Sequence, residues 1–331
     1  MKKASRLFVV AVVVSIVLSV LCSSALAATK PIVAKFGHAL APTTPYQNGA
    51  EKFKELVEER TGGEIIIEIY PNGQLGAERD LFEGLKIGTV EFAVGGMGVL
   101  SQAYDERLAV FGMPFIFSGR EEVYKILDGE VGQEFYKSML NHGIEIVGNF
   151  EAGFRQLSNS KRPINSLDDV KGLKVRTPEG SVYMKTWEVL GASPTPIAWT
   201  ELFSAMQTGV IDGAEVPIGN FATSGFGEVQ KNYAWINYMY DSIPMAASSV
   251  FMKRLSPEHQ EIVRQAAKEA CDFERQTVKD SEDRLQKELE AQGVVFTTPD
   301  TEPFREAVKV IYNEYKDKES LEKVQKALGR L

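Results

Sequence analysis

Cysteine is nearly absent: the 331 residues hold two, Cys22 and Cys271. Histidine is just as scarce, with His38, His142 and His259 far apart along the chain. No Cys/His/Asp cluster has metal-ligand spacing, so the pattern offers no metal site and calls for no cofactor. Gly-x-Ser-x-Gly, Walker-type and dinucleotide glycine patterns are missing too. Gly95-Gly96-Met97-Gly98 follows an expected strand but lacks the acidic residue and the helix that a dinucleotide site needs. It reads as backbone that turns tightly or approaches a ligand. Without a paired nucleophile and base, an enzyme has little to work with. Basic runs are lacking as well, and the formal charge is −8, so nucleic acid and anionic membrane surfaces are not expected partners.

Long hydrophobic runs are confined to the N-terminus. Lys2, Lys3 and Arg6 precede an apolar stretch from Leu7 to Leu21, followed by Ser23-Ser24-Ala25-Leu26-Ala27. That order is a secretory signal peptide cut after Ala27, which marks the mature chain for export. The stretch is about 15 residues against the roughly 20 that span a bilayer, which argues against a permanent anchor. Cys22 would serve a lipid anchor, but Leu21 before it is bulky where lipoprotein signals carry a small residue. Losing Lys2, Lys3 and Arg6 takes the charge from −8 to −11, and 331 less 27 leaves 304 residues. One remaining cysteine allows no intrachain disulfide, so stability must come from packing. With 44% hydrophobic residues, a chain of this length can bury a large core and suggests about two domains.

Alternation from Ile32 to His38 reads as the first strand. Thr44-Pro45 then opens a helix with Ala50, Phe53, Leu56 and Val57 on one face, ended by Gly62-Gly63. A β-branched strand over Glu64–Tyr70, a helix over Ala77–Leu85 and a strand over Val90–Val94 follow. Such alternation predicts right-handed crossovers and a largely parallel sheet. Helices are expected over Glu121–Leu127 and Val131–His142, and a strand over Ile144–Phe150. Ser166 caps a short helix before a strand that carries Arg176. Ser181–Leu190 and Glu201–Thr208 read as helices, and Val210-Ile211 as the start of a strand. Tyr238–Met252 is apolar and β-rich, interrupted by Pro244, where the chain would recross between domains. Ser256-Pro257-Glu258 opens a helix with no breaker before Gly293, about 36 residues against a mean near 12. Its apolar stripe is wide early and thins later, which favours one helix lying across two domains over a coiled coil. Val294–Thr297 is a late strand, and Thr301–Leu328 is helical. Internal repeats and low-complexity segments are lacking.

The candidate functional stretch runs from Gly172 to Asn220. Leu173 and Val175 alternate with Lys174 and Arg176, and Pro178 stops the strand, so Arg176 sits near its carboxyl end. In open α/β sheets ligands bind beyond the carboxyl ends of strands. A guanidinium there offers a rigid fork for a carboxylate or phosphate, but equally often pairs with a neighbouring acid. Arg155 carries the same ambiguity, weighted toward an ion pair. Trp199 would ordinarily be core, yet the prolines of Pro194-Thr195-Pro196 hold an extended segment that can present its ring to a cleft. Glu78 opens a helix, where it complements the dipole.

Gly-Leu-Lys-Val-Arg-Thr-Pro, Gly-Ala-Ser-Pro-Thr-Pro-x-x-Trp-x-Glu-Leu and Gln-Thr-Gly-x-Ile-Asp-Gly-x-Glu, in this order and spacing, resemble the solute-binding subunit of tripartite ATP-independent periplasmic (TRAP) transporters, the DctP family. Asn72-Gly73-Gln74-Leu75-Gly76, the Gly37-His38 strand end and the long late helix also match, so the resemblance covers essentially the whole mature chain. It implies a periplasmic-binding-protein-like α/β fold of two lobes, with a hinge and a long helix bridging both. Lobe I is expected over 28–152 plus 242–282, and lobe II over 153–241 plus 283–331. It further implies a small organic carboxylate held by Arg176, with Trp199 packing on the ligand and Glu78 reaching its hydroxyls or amines. Arg155 falls where some members place a second ligand-facing arginine. His38, Gly96, Glu215 and Val216 complete the expected ligand-binding set. Val216 stands where an asparagine commonly helps hold the carboxylate, and Gly96 where sialic-acid binders carry a glutamate. Both departures argue against sialic acid; a sugar acid is favoured. The implied partners are the small and large membrane subunits, with the protein a monomer unless the long helix carries a dimer contact. Two other readings stay open: a receptor presenting ligand to a membrane sensor, and an exported lyase or hydrolase that orients substrate with Arg176.

Overall fold

The computed structural model describes residues 30–331; the expected leader, its cut at Ala27 and Cys22 lie outside the described residues. Nine strands form one sheet: β1 (Ile32–Gly37), β2 (Ile65–Tyr70), β3 (Phe92–Val94), β4 (Ile144–Asn159), β5 (Lys174–Thr177), β6 (Ser193–Pro196), β7 (Gly213–Val216), β8 (Asn232–Ser248) and β9 (Val295–Thr297). Their order is β2-β1-β3-β8-β4-β7-β5-β6, with β9 beside β8. The helices are α1 (Pro45–Arg60), α2 (Glu78–Ile87), α3 (Met97–Ala103), α4 (Arg120–Leu127), α5 (Glu130–Lys137), α6 (Ser181–Val189), α7 (Trp199–Gln207), α8 (Ile218–Thr223), α9 (Ser249–Met252), α10 (Pro257–Ala291), α11 (Glu302–Glu314) and α12 (Lys318–Ala327).

Parallel pairing holds at both flanks, β2-β1-β3 on one side and β7-β5-β6 on the other. The middle is antiparallel, with β8 against β3 and β4, and β4 against β7. The sheet is therefore mixed rather than largely parallel. Its two longest strands supply the difference. β4 does not stop at Phe150 but runs to Asn159, so Arg155 lies inside a strand, and β8 passes through Pro244 without a break. The pairing of these two strands shifts register at Ile146/Gly148, Glu151/Gly153 and Arg155/Leu157. Gly153 takes φ +99° at one of these, a conformation that glycine reaches without a Cβ clash.

α1 begins at Pro45 and buries Ala50, Phe53, Leu56 and Val57, the face its spacing predicts. Together with Phe36, Phe92, Met245 and Phe251 this face builds one core, which also takes Val263, Ala266, Ala267, Ala270 and Cys271 from the first half of α10. Burying a side chain such as Phe53, fully excluded from solvent, contributes about 2–3 kcal/mol. The thinner second half of α10 sends Leu285 and Leu289 into another core, with Leu202, Val216, Phe221 and Tyr233. One 35-residue helix thus packs on both. It is capped by Ser256, whose hydroxyl accepts the His259 N–H at 3.1 Å.

Three local expectations differ. The strand expected at Val210-Ile211 starts at Gly213, because Val210 lies exposed in the turn after α7. The helix expected over Thr301–Leu328 is two, since Asp317 caps α12 by accepting the Ser320 N–H at 3.0 Å. The glycine cluster does open a helix, α3, although it has only seven residues.

Candidate functional site

The carboxyl ends of β1, β3, β5 and β7, with the middles of β4 and β8, converge on one cavity. Its walls include Leu40, Tyr46, Glu78, Gly96, Arg155, Arg176, Pro178, Tyr183, Trp199, Asn220, Asp241 and Ile243. Such a mix of apolar walls with a few convergent polar and charged groups is the make-up of a small-ligand site.

Arg176 emerges at the end of β5 and is 3% exposed. Its Nε donates to the Ile197 carbonyl at 2.8 Å, and the guanidinium lies 5.8 Å from the centre of the Trp199 ring. Neither terminal nitrogen of its fork reaches an acid within the described residues, although the group is buried. Burial first, then the charge of Arg155, brings the Arg176 guanidinium down to about 10. A cation left in that state suits an incoming anion.

Arg155 behaves differently. From β4 it grips both Glu215 of β7 and Asp241 of β8, and its Nη2 also donates to the Glu215 carbonyl at 2.7 Å. Burial alone would lower it, but Asp241 and Glu215 hold it well above the ordinary value. Tyr238 adds its hydroxyl to Glu215 at 2.6 Å. This is a satisfied buried ion cluster with one face on the cavity.

Glu78 occupies the first turn of α2, half-buried, and accepts the Gly96 N–H at 3.2 Å. Burial, reinforced by Asp241, pushes its carboxyl up to about 6 against the pull of Gly96 and Arg176. The cluster Gly95-Gly96-Met97-Gly98 lets α3 come close to α6: a Cβ on Gly98 would stand 2.0 Å from Tyr183 Cε2. On other sides Gly73 meets Thr200, and Arg79 pairs with Glu179 at 3.2 Å. The cavity is closed over.

Of the residues singled out in the sequence, Arg176, Arg155, Trp199, Glu78 and Gly96 meet at this cavity. Three others stand behind its wall. His38 is fully buried with Nε2 2.9 Å from Gln47 Oε1. Glu215 is occupied by Arg155 and Tyr238. Val216 packs into the core with Leu202 and Phe221, since alternate side chains of a strand point to opposite faces. Its carbonyl accepts the Tyr233 hydroxyl at 3.0 Å. Sequence reading missed Asp241, Asn220, Tyr46 and Tyr183. Asp241 was detectable as the single charged residue between Tyr238 and Met252, and Asn220 as a polar side chain just beyond the end of β7.

The profile of the bacterial extracellular solute-binding proteins, family 7 (DctP), matches residues 36–318. The chain is 31% identical to the C4-dicarboxylate-binding periplasmic protein DctP of Rhodobacter capsulatus, over 81% of this chain and 80% of that one. Its structure is similar to the sugar acid binding protein DctPAm of Advenella mimigardefordensis in complex with galactonate, with a TM-score of 0.87, 29% identity and coverage of 90% and 98%. It is also similar to a TRAP periplasmic solute-binding protein of Polaromonas sp. bound to D-erythronate, with a TM-score of 0.86, 32% identity and coverage of 89% and 98%. A buried arginine fork facing a closed cavity between two α/β lobes, in a chain matched along most of its length, makes this protein a member of the DctP family of extracellular solute-binding proteins.

Proposed function

We propose that the protein is the solute-binding subunit of a TRAP transporter, capturing a small carboxylate, with a sugar acid favoured, and delivering it to small and large membrane subunits. The observation that carries this reading is Arg176: a buried cation on the cavity wall whose terminal nitrogens pair with no acid among the described residues. A ligand carboxylate would accept two parallel hydrogen bonds from it. Trp199 offers a face for an apolar ring or chain, while Glu78, Asn220, Tyr46 and Asp241 offer polar edges for hydroxyls. Galactonate and D-erythronate, bound by the similar proteins above, have this chemistry. Lobe closure removes water and strengthens the ion pair. The proposed lobes, 28–152 plus 242–282 and 153–241 plus 283–331, divide where Gly153 pairs with Asp241 beside a register shift. The last two helices, assigned to the second lobe, also reach the first: Tyr312 of α11 donates to the Pro114 carbonyl at 2.8 Å, and Lys323 of α12 pairs with Glu134.

A thermal-shift panel of uronates, aldonates, dicarboxylates and 2-oxo acids tests the reading. Ligand at a hundredfold over its dissociation constant adds about 2.7 kcal/mol, which raises Tm by roughly 5 °C. A shift from neutral sugars alone would overturn it.

A further inference from the structure

Counting charge on the cavity exposes an imbalance. Two guanidinium groups, Arg155 and Arg176, face three carboxylates: Glu78, Asp241 and, through Arg155, Glu215. With all five ionised the site carries one excess negative charge before any ligand arrives. A monocarboxylate would bring a second into a closed, buried space, where like charges repel strongly.

The carboxylates are not equally able to relieve this. Asp241 and Glu215 both bond the Arg155 guanidinium, and Glu215 also accepts from Tyr238. Protonating either would weaken a buried charge-assisted bond. Glu78 accepts one hydrogen bond within the described residues, from a neutral backbone N–H at 3.2 Å. We propose that Glu78 takes up a proton from solvent when a monocarboxylate enters, and in doing so becomes a hydrogen-bond donor to the bound ligand. The inference rests on the carboxylate reading above and adds a proton to it.

The surroundings of Glu78 agree. On its own helix, Arg79 is drawn off to Glu179 at 3.2 Å and Asp80 accepts the Ala77 N–H at 2.9 Å. From the packed elements it feels Asp241 of β8, Arg176 of β5 and Arg155 of β4, and it acts in turn on Tyr46 of α1 and Tyr183 of α6. Both tyrosines are held neutral by burial, so neither competes for the role. Among the described residues, Arg176 is the one cation that opposes proton uptake at Glu78 without an acid paired to it. Once a ligand carboxylate engages Arg176, that opposition is neutralised. The same event that fills the fork therefore raises the proton affinity of Glu78.

Calorimetry of D-galactonate or D-galacturonate binding, in buffers of different ionisation enthalpy between pH 6 and 8, reads the proton directly. These acids are ionised throughout that range, so uptake belongs to the protein. The expected result is uptake of a large fraction of one proton near pH 7, with the dissociation constant rising about tenfold from pH 6 to pH 8. In Glu78→Gln, uptake should fall to near zero and affinity should vary less than about twofold over the same range. Binding without buffer dependence in the wild type overturns the proposal and leaves the carboxylate reading intact. Uptake that persists in Glu78→Gln overturns the assignment to Glu78. If no acid of the panel binds, the carboxylate reading falls and this proposal falls with it.

Discussion

Replacing Arg176 with methionine should strengthen the empty protein while disabling it. The guanidinium is 3% exposed and sits at about 10 against an ordinary value above 12, a difference that costs roughly 3 kcal/mol to hold the charge in place. Methionine has similar reach and carries no charge. It forfeits the hydrogen bond to the Ile197 carbonyl, about 1 kcal/mol, and the contact with the Trp199 face, about 0.5–1 kcal/mol. The remainder favours the variant by about 1 kcal/mol, a rise in Tm of roughly 2 °C for a chain of this size. With ligand the balance reverses. The ligand carboxylate loses its buried partner, and stranding one member of such a pair costs about 3–5 kcal/mol, or a weakening of roughly two to four powers of ten. Scanning calorimetry of the unliganded protein and titration calorimetry with the acid identified by the panel measure the two halves separately. A Tm several degrees below wild type would mean that Arg176 is a structural cation. Unchanged affinity would mean that the carboxylate binds elsewhere.

Arg155→Met should do the opposite to stability, because it leaves Glu215 and Asp241 buried without their cation; a loss of about 3–5 kcal/mol is expected in urea unfolding. A loss under 1 kcal/mol would show that water reaches those acids. Gly98→Ala places a Cβ 2.0 Å from Tyr183 Cε2, so closure should become harder. Titration calorimetry should show affinity at least about tenfold weaker with the unliganded Tm nearly unchanged; equal affinity would show that the ring simply swings aside. Arg176→Lys keeps the charge and loses the planar fork, and its affinity should fall well below wild type in the same assay.

Local chemistry made much of the fold readable. Pro45 and the Ala50-Phe53-Val57 spacing placed α1, and Ser256-Pro257 with the next glycine at 293 placed α10 within two residues. What escaped was long-range pairing. Gly153 and Pro244 are strand breakers by local rules, yet Gly153 sits opposite Asp241 at a register shift that absorbs it, and Pro244 sits opposite Asn149 in unshifted pairing of the central ladder. The same gap explains the site. Arg176 and Trp199 lie within one short stretch of sequence and were found together. Asp241 reaches the cavity only because β8 pairs with β4, a partnership that nothing in the local sequence announces. Asn220 sits near the position where an asparagine was sought at Val216, but four residues on, at the start of α8 rather than the end of β7.

The central pair also sets the order in which the chain can become a protein. β3 finds its second neighbour only in residues 245–247 of β8, and β4 meets β8 along most of its length. Of the three cores among the described residues, one closes only with Ile243, Met245, Ala247 and the early turns of α10, another needs Tyr233, Leu285 and Leu289, and the third takes Ala234, Tyr238 and Phe304. A chain ending before Asn232 can therefore complete none of them, although it already holds two thirds of the residues. Contacts of such long sequence separation form slowly. All three cores thus wait for the same late strand, and two of them for the same late helix, which ties the maturation of the binding site to the last third of synthesis.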